Sequence, residues 1–218
     1  MNRRTVLQTS AAVGVASVAG CLGASGSNAE DRPDPVDLSG TKFDYQGGME
    51  IGTHGGPNGQ IFYRDNQPKP VAGAASLRLT HEGHGDEGSE SGDQANLAWF
   101  HTLVHGLFPY HFERLDRGWD AQVIYVTDYS TVEWELPEDS SRPTMPSPTG
   151  AETFADAETL YYVGESTVMG GMGPALHPFS EESDARSFAE QYDGTVYEFG
   201  DIDRTLIDGL RRGAGMNS

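Results

Sequence analysis

The chain has 218 residues and a formal net charge of −19, a length that suits one ordinary domain or two small ones. Its 33 acidic residues outnumber 14 basic ones and are spread along the sequence, which argues against nucleic acid and anionic lipid headgroups as partners. Such an excess is typical of a protein that stays soluble in concentrated salt, where long-range repulsion is screened.

The first twenty residues are typical of a twin-arginine export signal. Arg3 and Arg4 precede a weakly apolar run over 6–19, which ends in the lipobox-like Val18-Ala19-Gly20-Cys21. We therefore expect cleavage before Cys21, lipid attachment to its thiol, and a protein held on the extracytoplasmic face of the membrane. The alternative is an ordinary signal cleaved nearby, with Cys21 incidental.

Cys21 is the one cysteine, so a disulfide within the chain and a CxxC zinc site are both excluded. The following segment, 21–40, is rich in Gly, Ala, Ser, Asp and Pro and lacks apolar periodicity. It is predicted to be a flexible tether between the lipid and the folded body.

A first folded unit is predicted over 41–136. Apolar residues alternate around glycines near Phe43 and Ile51, which indicates a short strand pair. The pattern further predicts a turn at 54–59, a helix over 95–115 kinked near Pro109, and Trp134 and Leu136 as continuations of the sheet. The predicted strands of this unit cover 60–63, 72–80 and 121–127.

The segment 137–150 contains four prolines and is predicted to link two units. A second unit is expected over 151–212. It would contain strands at 159–163 and 195–199, a helix capped by Ser180, and a terminal helix over 201–212. Each unit can be written strand-strand-helix-strand, so the expected fold class is α+β, built from a tandem pair of small units.

The glycine-rich stretch 168–179 carries Met169, Met172 and His177 among three glycines and two prolines. Thioether and imidazole groups in a loop suit a soft metal, above all Cu(I). The alternative is a turn whose methionines fill gaps in a small core. Met169 fits either interpretation, and the position of His177 beside Pro178 favours a structural role.

Other histidines are candidates of lower specificity. His101 and His105 lie four residues apart and would share a helix face, which is a metal-ligand spacing, although two packed histidines are the alternative. His54 lies in a turn near Met49 and either completes a metal site or only forms the turn. His81 and His84 occupy an acidic loop that is either simply solvated or a weak, exchanging Cu(II) or Zn(II) site, and the orientation of His111 beyond Pro109 is not predicted.

Three segments resemble the NosL family, lipoprotein copper chaperones associated with maturation of nitrous oxide reductase. These are Tyr162-Val163 through Phe199, Gly48-Met49 with the glycine-rich turn that follows, and Tyr125 through Ser130. The resemblance covers most of 41–200 and implies the tandem fold, Cu(I) binding and delivery of copper to the reductase. It also places Met172 and Met49 at ligand positions, while Met169, His54, His101 and His105 remain candidates from their own chemistry.

The chain departs from the family pattern at one position. Where the family usually has a cysteine before Gly-Met, this sequence has Gly47, and a thiolate is a stronger Cu(I) ligand than a thioether. No nucleophile triad, phosphate loop or paired catalytic carboxylates stand out, so no enzymatic activity is expected. Two hypotheses follow: a membrane-anchored copper chaperone, or an assembly lipoprotein of the same fold that has lost copper.

Overall fold

The computed structural model describes residues 32–81, 95–137 and 140–215. The described residues belong to one compact unit. The predicted signal, Cys21, the tether residues 21–31 and His84 lie outside the described residues. No helix in the described ranges is long and apolar enough to cross a membrane.

The fold is α+β, as predicted. Its helices are α1 (Ala72–His81), α2 (Phe108–Leu115), α3 (Glu182–Gln191) and α4 (Arg204–Gly215). The strands are β1 (Gly59–Tyr63), β2 (Leu97–Phe100), β3 (Ala121–Thr127), β4 (Phe154–Asp156), β5 (Tyr161–Gly164), β6 (Met169–Gly170), β7 (Gly173–Pro174), β8 (His177–Phe179) and β9 (Thr195–Glu198).

The strands form two main antiparallel sheets and one small hairpin. The first sheet has the order β2-β1-β3-β4, the second has the order β8-β5-β9, and β6 pairs with β7. In both main sheets the strand that comes first in sequence lies between two others. In the first sheet β1 lies between β2 and β3, and in the second β5 lies between β8 and β9. The division into units over 41–136 and 151–212 stays a prediction.

The main hydrophobic core joins the two sheets. It includes Ile61 and Phe100 from the first sheet, Tyr162 from the second, and Leu210 from α4. A second cluster packs α3 against β8 through Phe188 and Phe179, whose ring centroids lie 5.2 Å apart. Burial of apolar surface common to both sheets explains why the described chain is one unit.

Two secondary-structure predictions in the first half are wrong. The predicted strand at 72–80 is helix α1, because its small, alanine-rich residues favour a helix and few of them are β-branched. The predicted helix over 95–115 begins as strand β2, which pairs with β1. It continues as a π-helix, Leu103–Leu107, and becomes α-helical only in α2, where Pro109 occupies the first turn.

Two further segments are more ordered than the sequence suggests. The predicted tether includes Leu38, which is fully buried and whose amide donates to the Thr149 carbonyl at 2.7 Å. The side chain of Gln60 hydrogen-bonds both backbone groups of Val36 at 2.9 Å. A flexible tether over 32–40 is therefore wrong, because these residues pack against the first sheet.

The proline-rich segment also contributes to the body. Met145 is fully buried in the second cluster, and the amide of Met169 donates to the Pro143 carbonyl at 2.8 Å. Trp134 and Leu136 form no strand, and instead they pack on that cluster, with the Trp134 ring 5.7 Å from Phe188.

In the second half, strand β9 agrees with its prediction, and three element boundaries move. Helix α3 is capped by Glu181 in place of Ser180. A 3₁₀ turn, Ala157–Thr159, delays β5, and another, Phe199–Asp201, precedes α4.

Candidate metal site

The loop that resembles the family's Cys-Gly-Met motif is built around Asp44, which is fully buried. One carboxylate oxygen accepts the backbone N–H groups of Gln46 at 2.9 Å and Gly48 at 3.0 Å, and also that of Gly47. The amide of Asp44 in turn donates to the Met49 carbonyl at 2.9 Å. These bonds close a tight loop that presents Gly47 and Met49.

The second oxygen of Asp44 binds His101, which lies directly after β2. It contacts the ring nitrogen Nδ1 and accepts the His101 backbone N–H at 3.3 Å. His101 is 2% exposed, and its Nε2 has no hydrogen-bond partner among the described residues. Burial disfavours the charged carboxylate, but the His101 ring and the backbone donors outweigh it and hold the pKa of Asp44 below its usual value.

Gly47 is exposed, and the space above its Cα faces the site. A Cβ there would lie 3.7 Å from His101 Cε1, 3.7 Å from Met49 Cγ and 3.5 Å from an Asp44 oxygen. All three distances are ordinary van der Waals contacts, so a larger residue fits at this position. Met49 and His101 therefore border the same small space, although 52 positions separate them in sequence.

The methionine stretch forms the other side of the site. Strands β6 and β7 make a two-residue hairpin whose tip is Gly171-Met172. A Cβ on Gly171 would lie only 2.6 Å from the His54 carbonyl oxygen, so the close approach of hairpin and turn requires glycine. The Gly171 amide also donates to the Gly55 carbonyl at 3.1 Å.

His54 and Met172 are thereby brought to the edge of the site. The ring centroid of His54 lies 6.3 Å from that of His101, and His54 is exposed. Met172, next to Gly171, is 46% exposed, which is unusual for a methionine because its thioether is apolar. The structure thus brings Met49 and His54 toward His101, and Met172 follows Gly171, the hairpin residue that contacts His54.

His105 is a weaker candidate than its spacing suggests. It does not share an α-helical face with His101, because His101 precedes the π-helix that contains His105. Burial, then the Arg211 guanidinium and His101, lowers the pKa of His105. Its Nε2 has no partner in the described chain, but the cavity it lines combines two guanidinium groups, Arg211 and Arg212, with one carboxylate, Asp208, so the net charge of the lining opposes a metal cation.

The remaining candidates lie elsewhere. Met169 pairs with Pro174 and bridges to Thr144, so its backbone faces the proline-rich segment. His177 is fully buried beside Phe188, and its Nε2 lies 3.2 Å from the Val168 carbonyl. His111 is buried beside Tyr63, burial lowers its pKa to about 4, and the side chain of His81 is outside the described part of the chain.

The donor set is suited to a soft cation. Among the described residues, no group of three or more His, Cys, Asp or Glu side chains could hold a metal ion. Coordination at this loop therefore needs thioether sulfur from Met49 or Met172 in addition to imidazole. Thioether and imidazole together favour Cu(I) over Mg²⁺ or Ca²⁺, which select oxygen ligands.

Asp44 was not recognised from sequence, although it is the residue on which the site is built. A weak local signal exists, because an Asp two to four residues before consecutive glycines is suited to accept their backbone N–H groups. Its contact with His101 joins residues 57 apart, and no spacing rule predicts that.

Fold and geometry together define a class: small α+β proteins in which a glycine loop and a methionine-bearing hairpin border a pair of histidines. A family model described as NosL matches residues 35–207. The chain therefore belongs to the NosL family.

Two relatives illustrate the similarity. A "copper-binding lipoprotein NosL" from Stutzerimonas stutzeri is 34% identical over 92 residues, and the match spans 42% of this chain and 42% of that relative. The crystal structure of the copper chaperone NosL from Shewanella denitrificans has a TM-score of 0.53 and 21% identity, covering 80% of this chain and 99% of its own. At that identity the structural likeness shows the fold.

Proposed function

We propose that this protein is a copper chaperone that carries Cu(I) at the site formed by Met49, His54, His101 and Met172. The observation that carries the proposal is the buried Nε2 of His101, which has no partner among the described residues. The ring that carries it borders the same small space as Met49 and lies 6.3 Å from the ring of His54. The names of the two relatives, a copper-binding lipoprotein and a copper chaperone, support the same cargo. The role is that of a carrier, not of an enzyme.

The open edge of the site suits transfer of copper. Met172, His54 and Gly47 are all exposed, so a bound ion would remain accessible to a receiving protein. Neutral thioether ligands also hold a soft cation without a thiolate's charge, which favours exchange over permanent retention.

The direct test is an anaerobic competition titration with a chromogenic Cu(I) chelator. Wild type is expected to bind one Cu(I), and Met172→Leu and His101→Ala are expected to bind at least about tenfold more weakly, a loss of about 1.4 kcal/mol. Met145→Leu is the matched control, because it removes a buried thioether from the second cluster while conserving volume. No binding by wild type, or equal binding by all four proteins, would reject the site.

We further propose that the chain is exported, lipidated at Cys21 and anchored on the extracytoplasmic face of the membrane. The lipobox-like sequence and the lipoprotein named among its relatives support this location. Replacement Cys21→Ser should move the protein from the membrane to the soluble fraction of cells. Unchanged fractionation would contradict anchoring at this residue and leave the copper site untouched.

The proposed recipient is nitrous oxide reductase or one of its assembly factors. Family membership supports this partner, since the NosL resemblance implies delivery to that enzyme. In cells lacking this chain, the reductase is expected to accumulate with less copper, as measured by metal analysis of the purified enzyme. A fully loaded reductase in such cells would favour a different recipient.

A second candidate function is an assembly lipoprotein of the NosL fold that binds no copper. The presence of Gly47 at the family's cysteine position is the observation that favours it. One experiment distinguishes the two functions. If the His101→Ala variant restores reductase assembly in cells that lack this chain, the assembly role is favoured.

A further inference from the structure

We propose that Asp44 is the positioning residue of the copper site, holding His101 in one tautomer and holding the loop of Met49 in one conformation. The inference rests on the proposed function. The residue acts through its neighbours, since both of its oxygens are already engaged by hydrogen bonds within the chain.

The oxygen that faces His101 determines which ring nitrogen is free. An ionised carboxylate only accepts hydrogen bonds, so the proton of a neutral His101 must lie on Nδ1. The lone pair then lies on Nε2, the atom that is buried and without a partner in the described chain. Metal-binding imidazoles are commonly fixed in this way by a carboxylate on the other nitrogen.

The oxygen that faces the loop fixes the second ligand. It accepts N–H groups from Gln46, Gly47 and Gly48, and these bonds order the residues directly before Met49. The same loop is closed by the Asp44 amide on the Met49 carbonyl. One side chain thus connects an imidazole after β2 to a thioether in a loop more than fifty residues earlier.

An amide cannot replace this carboxylate, although it has the same shape. Asparagine offers one acceptor oxygen and one NH₂ donor group. Its oxygen can accept hydrogen bonds either from the loop amides or from His101, but not from both. In each case its NH₂ group then faces N–H donors on the other side, where no hydrogen bond forms. In Asp44→Asn, His101 should therefore no longer be held in one tautomer, or the loop should no longer be held in one conformation, or both. The size of the side chain stays the same.

The first test needs no copper. In the wild-type apo protein at neutral pH, ¹⁵N chemical shifts of the His101 ring should show a protonated Nδ1 and an unprotonated Nε2. In Asp44→Asn, the ring should change toward the other tautomer or toward a mixture. A wild-type ring protonated on Nε2 alone would overturn the inference, whatever the folding of the variant.

The second test measures Cu(I) affinity by chelator competition. Asp44→Asn is expected to bind about 10- to 100-fold more weakly than wild type, the usual effect of removing a partner that orients a metal ligand. The matched control is Asp128→Asn. Asp128 is 3% exposed and accepts the amides of Ser130 at 3.0 Å and Ser180 at 2.9 Å, so its hydrogen bonds order other segments of the chain.

The outcomes separate the two proposals. Equal affinities of folded Asp44→Asn and wild type would overturn the positioning role while leaving the chaperone function intact. Failure of wild type to bind Cu(I) would reject the proposed function, whereas the ring shifts of His101 would still decide whether Asp44 fixes its tautomer. An equal loss in Asp128→Asn would show a general effect of buried carboxylates and would also overturn the positioning role.

Discussion

Two buried histidines occupy similar places in the two sheets and have opposite surroundings. His101 follows β2 and His177 begins β8, and each of these strands pairs with the first strand of its sheet. Each ring has one nitrogen without a partner in the described chain, Nε2 in His101 and Nδ1 in His177. An unpartnered nitrogen alone therefore does not distinguish a metal ligand from a core residue.

The difference lies in what surrounds each ring. His101 is held by a carboxylate and borders an exposed glycine and the exposed His54. His177 is enclosed by aromatic rings, with centroids 6.0 Å from Tyr129 and 5.2 Å from Phe188. Exposed neighbours and a carboxylate favour metal binding at the first histidine, whereas enclosure by apolar rings favours a neutral core residue at the second.

The largest expected loss of stability comes from removing the aromatic ring of Phe188, which encloses His177. Phe188 contacts His177, Phe179, Trp134 and Tyr192, so Phe188→Ala should open a cavity in the second cluster. The expected cost is about 3–5 kcal/mol in the free energy of unfolding. Denaturant unfolding at high salt measures it, with the exposed Glu190→Ala on the same helix as control, and a cost below about 1 kcal/mol would contradict a tightly packed cluster.

The next effect concerns the pH dependence that such enclosure produces. Burial lowers the pKa of His177 to about 4, partly opposed by the Val168 carbonyl, from a usual value of 6.5. The unfolded chain therefore binds more protons between these values, and stability that is complete above pH 6.5 is lost as the pH falls toward 4. The loss attributable to this one group is about 3 kcal/mol.

The variant His177→Phe isolates this contribution, because it keeps an aromatic ring and removes the titrating group. Between pH 7 and 4, wild type should lose about 3 kcal/mol more stability than the variant, measured by denaturant unfolding at each pH. The exposed His54→Asn serves as control and should follow wild type. Parallel curves for wild type and His177→Phe would show that the ring is not enclosed as described.

The sequence predicted the fold best where strands are long or β-branched. The strands at 60–63, 121–127 and 195–199 are confirmed by β1, β3 and β9. The segment Leu97–Phe100 was misassigned because its large apolar residues satisfy a helical period as well as a strand. Only its pairing with β1, a tertiary contact, decides between the two.

The candidate site was predictable in part. Met49 and His54 are close in sequence, and the glycines around Met172 predicted a loop, which the structure shows to be a short hairpin. His101 was selected for a helical spacing that does not exist, and it borders Met49 only because β2 pairs with β1 and ends beside the loop of Asp44. Such proximity depends on pairing between strands that are distant in sequence, and neither composition nor hydrophobic periodicity predicts that pairing. The ligand roles themselves stay a prediction.

A third prediction sharpens the contrast between the two histidines. Gly47→Cys places a thiol where a Cβ makes ordinary contacts with His101 and Met49. A thiolate is a strong Cu(I) ligand, so affinity should rise by at least about tenfold, or 1.4 kcal/mol. Chelator competition measures the change against Gly47→Ser, which adds a similar side chain without sulfur. Equal affinities for the two variants would place the copper away from His101.

The smallest expected effect tests the conformation of the loop beside His101. Gly47 and Gly48 are adjacent, but only Gly48 has a left-handed backbone, with φ at 68°. An alanine Cβ is disfavoured in that conformation, so Gly48→Ala should lower the free energy of unfolding by about 1 kcal/mol.

The matched control is Gly47→Ala, which should stay within about 0.5 kcal/mol of wild type because its Cβ meets only ordinary contacts. Denaturant unfolding of both variants measures the difference. Equal effects at the two positions would contradict the loop conformation imposed by Asp44. A cost confined to Gly48 would show that the backbone requires glycine at position 48 and not at position 47, beside His101.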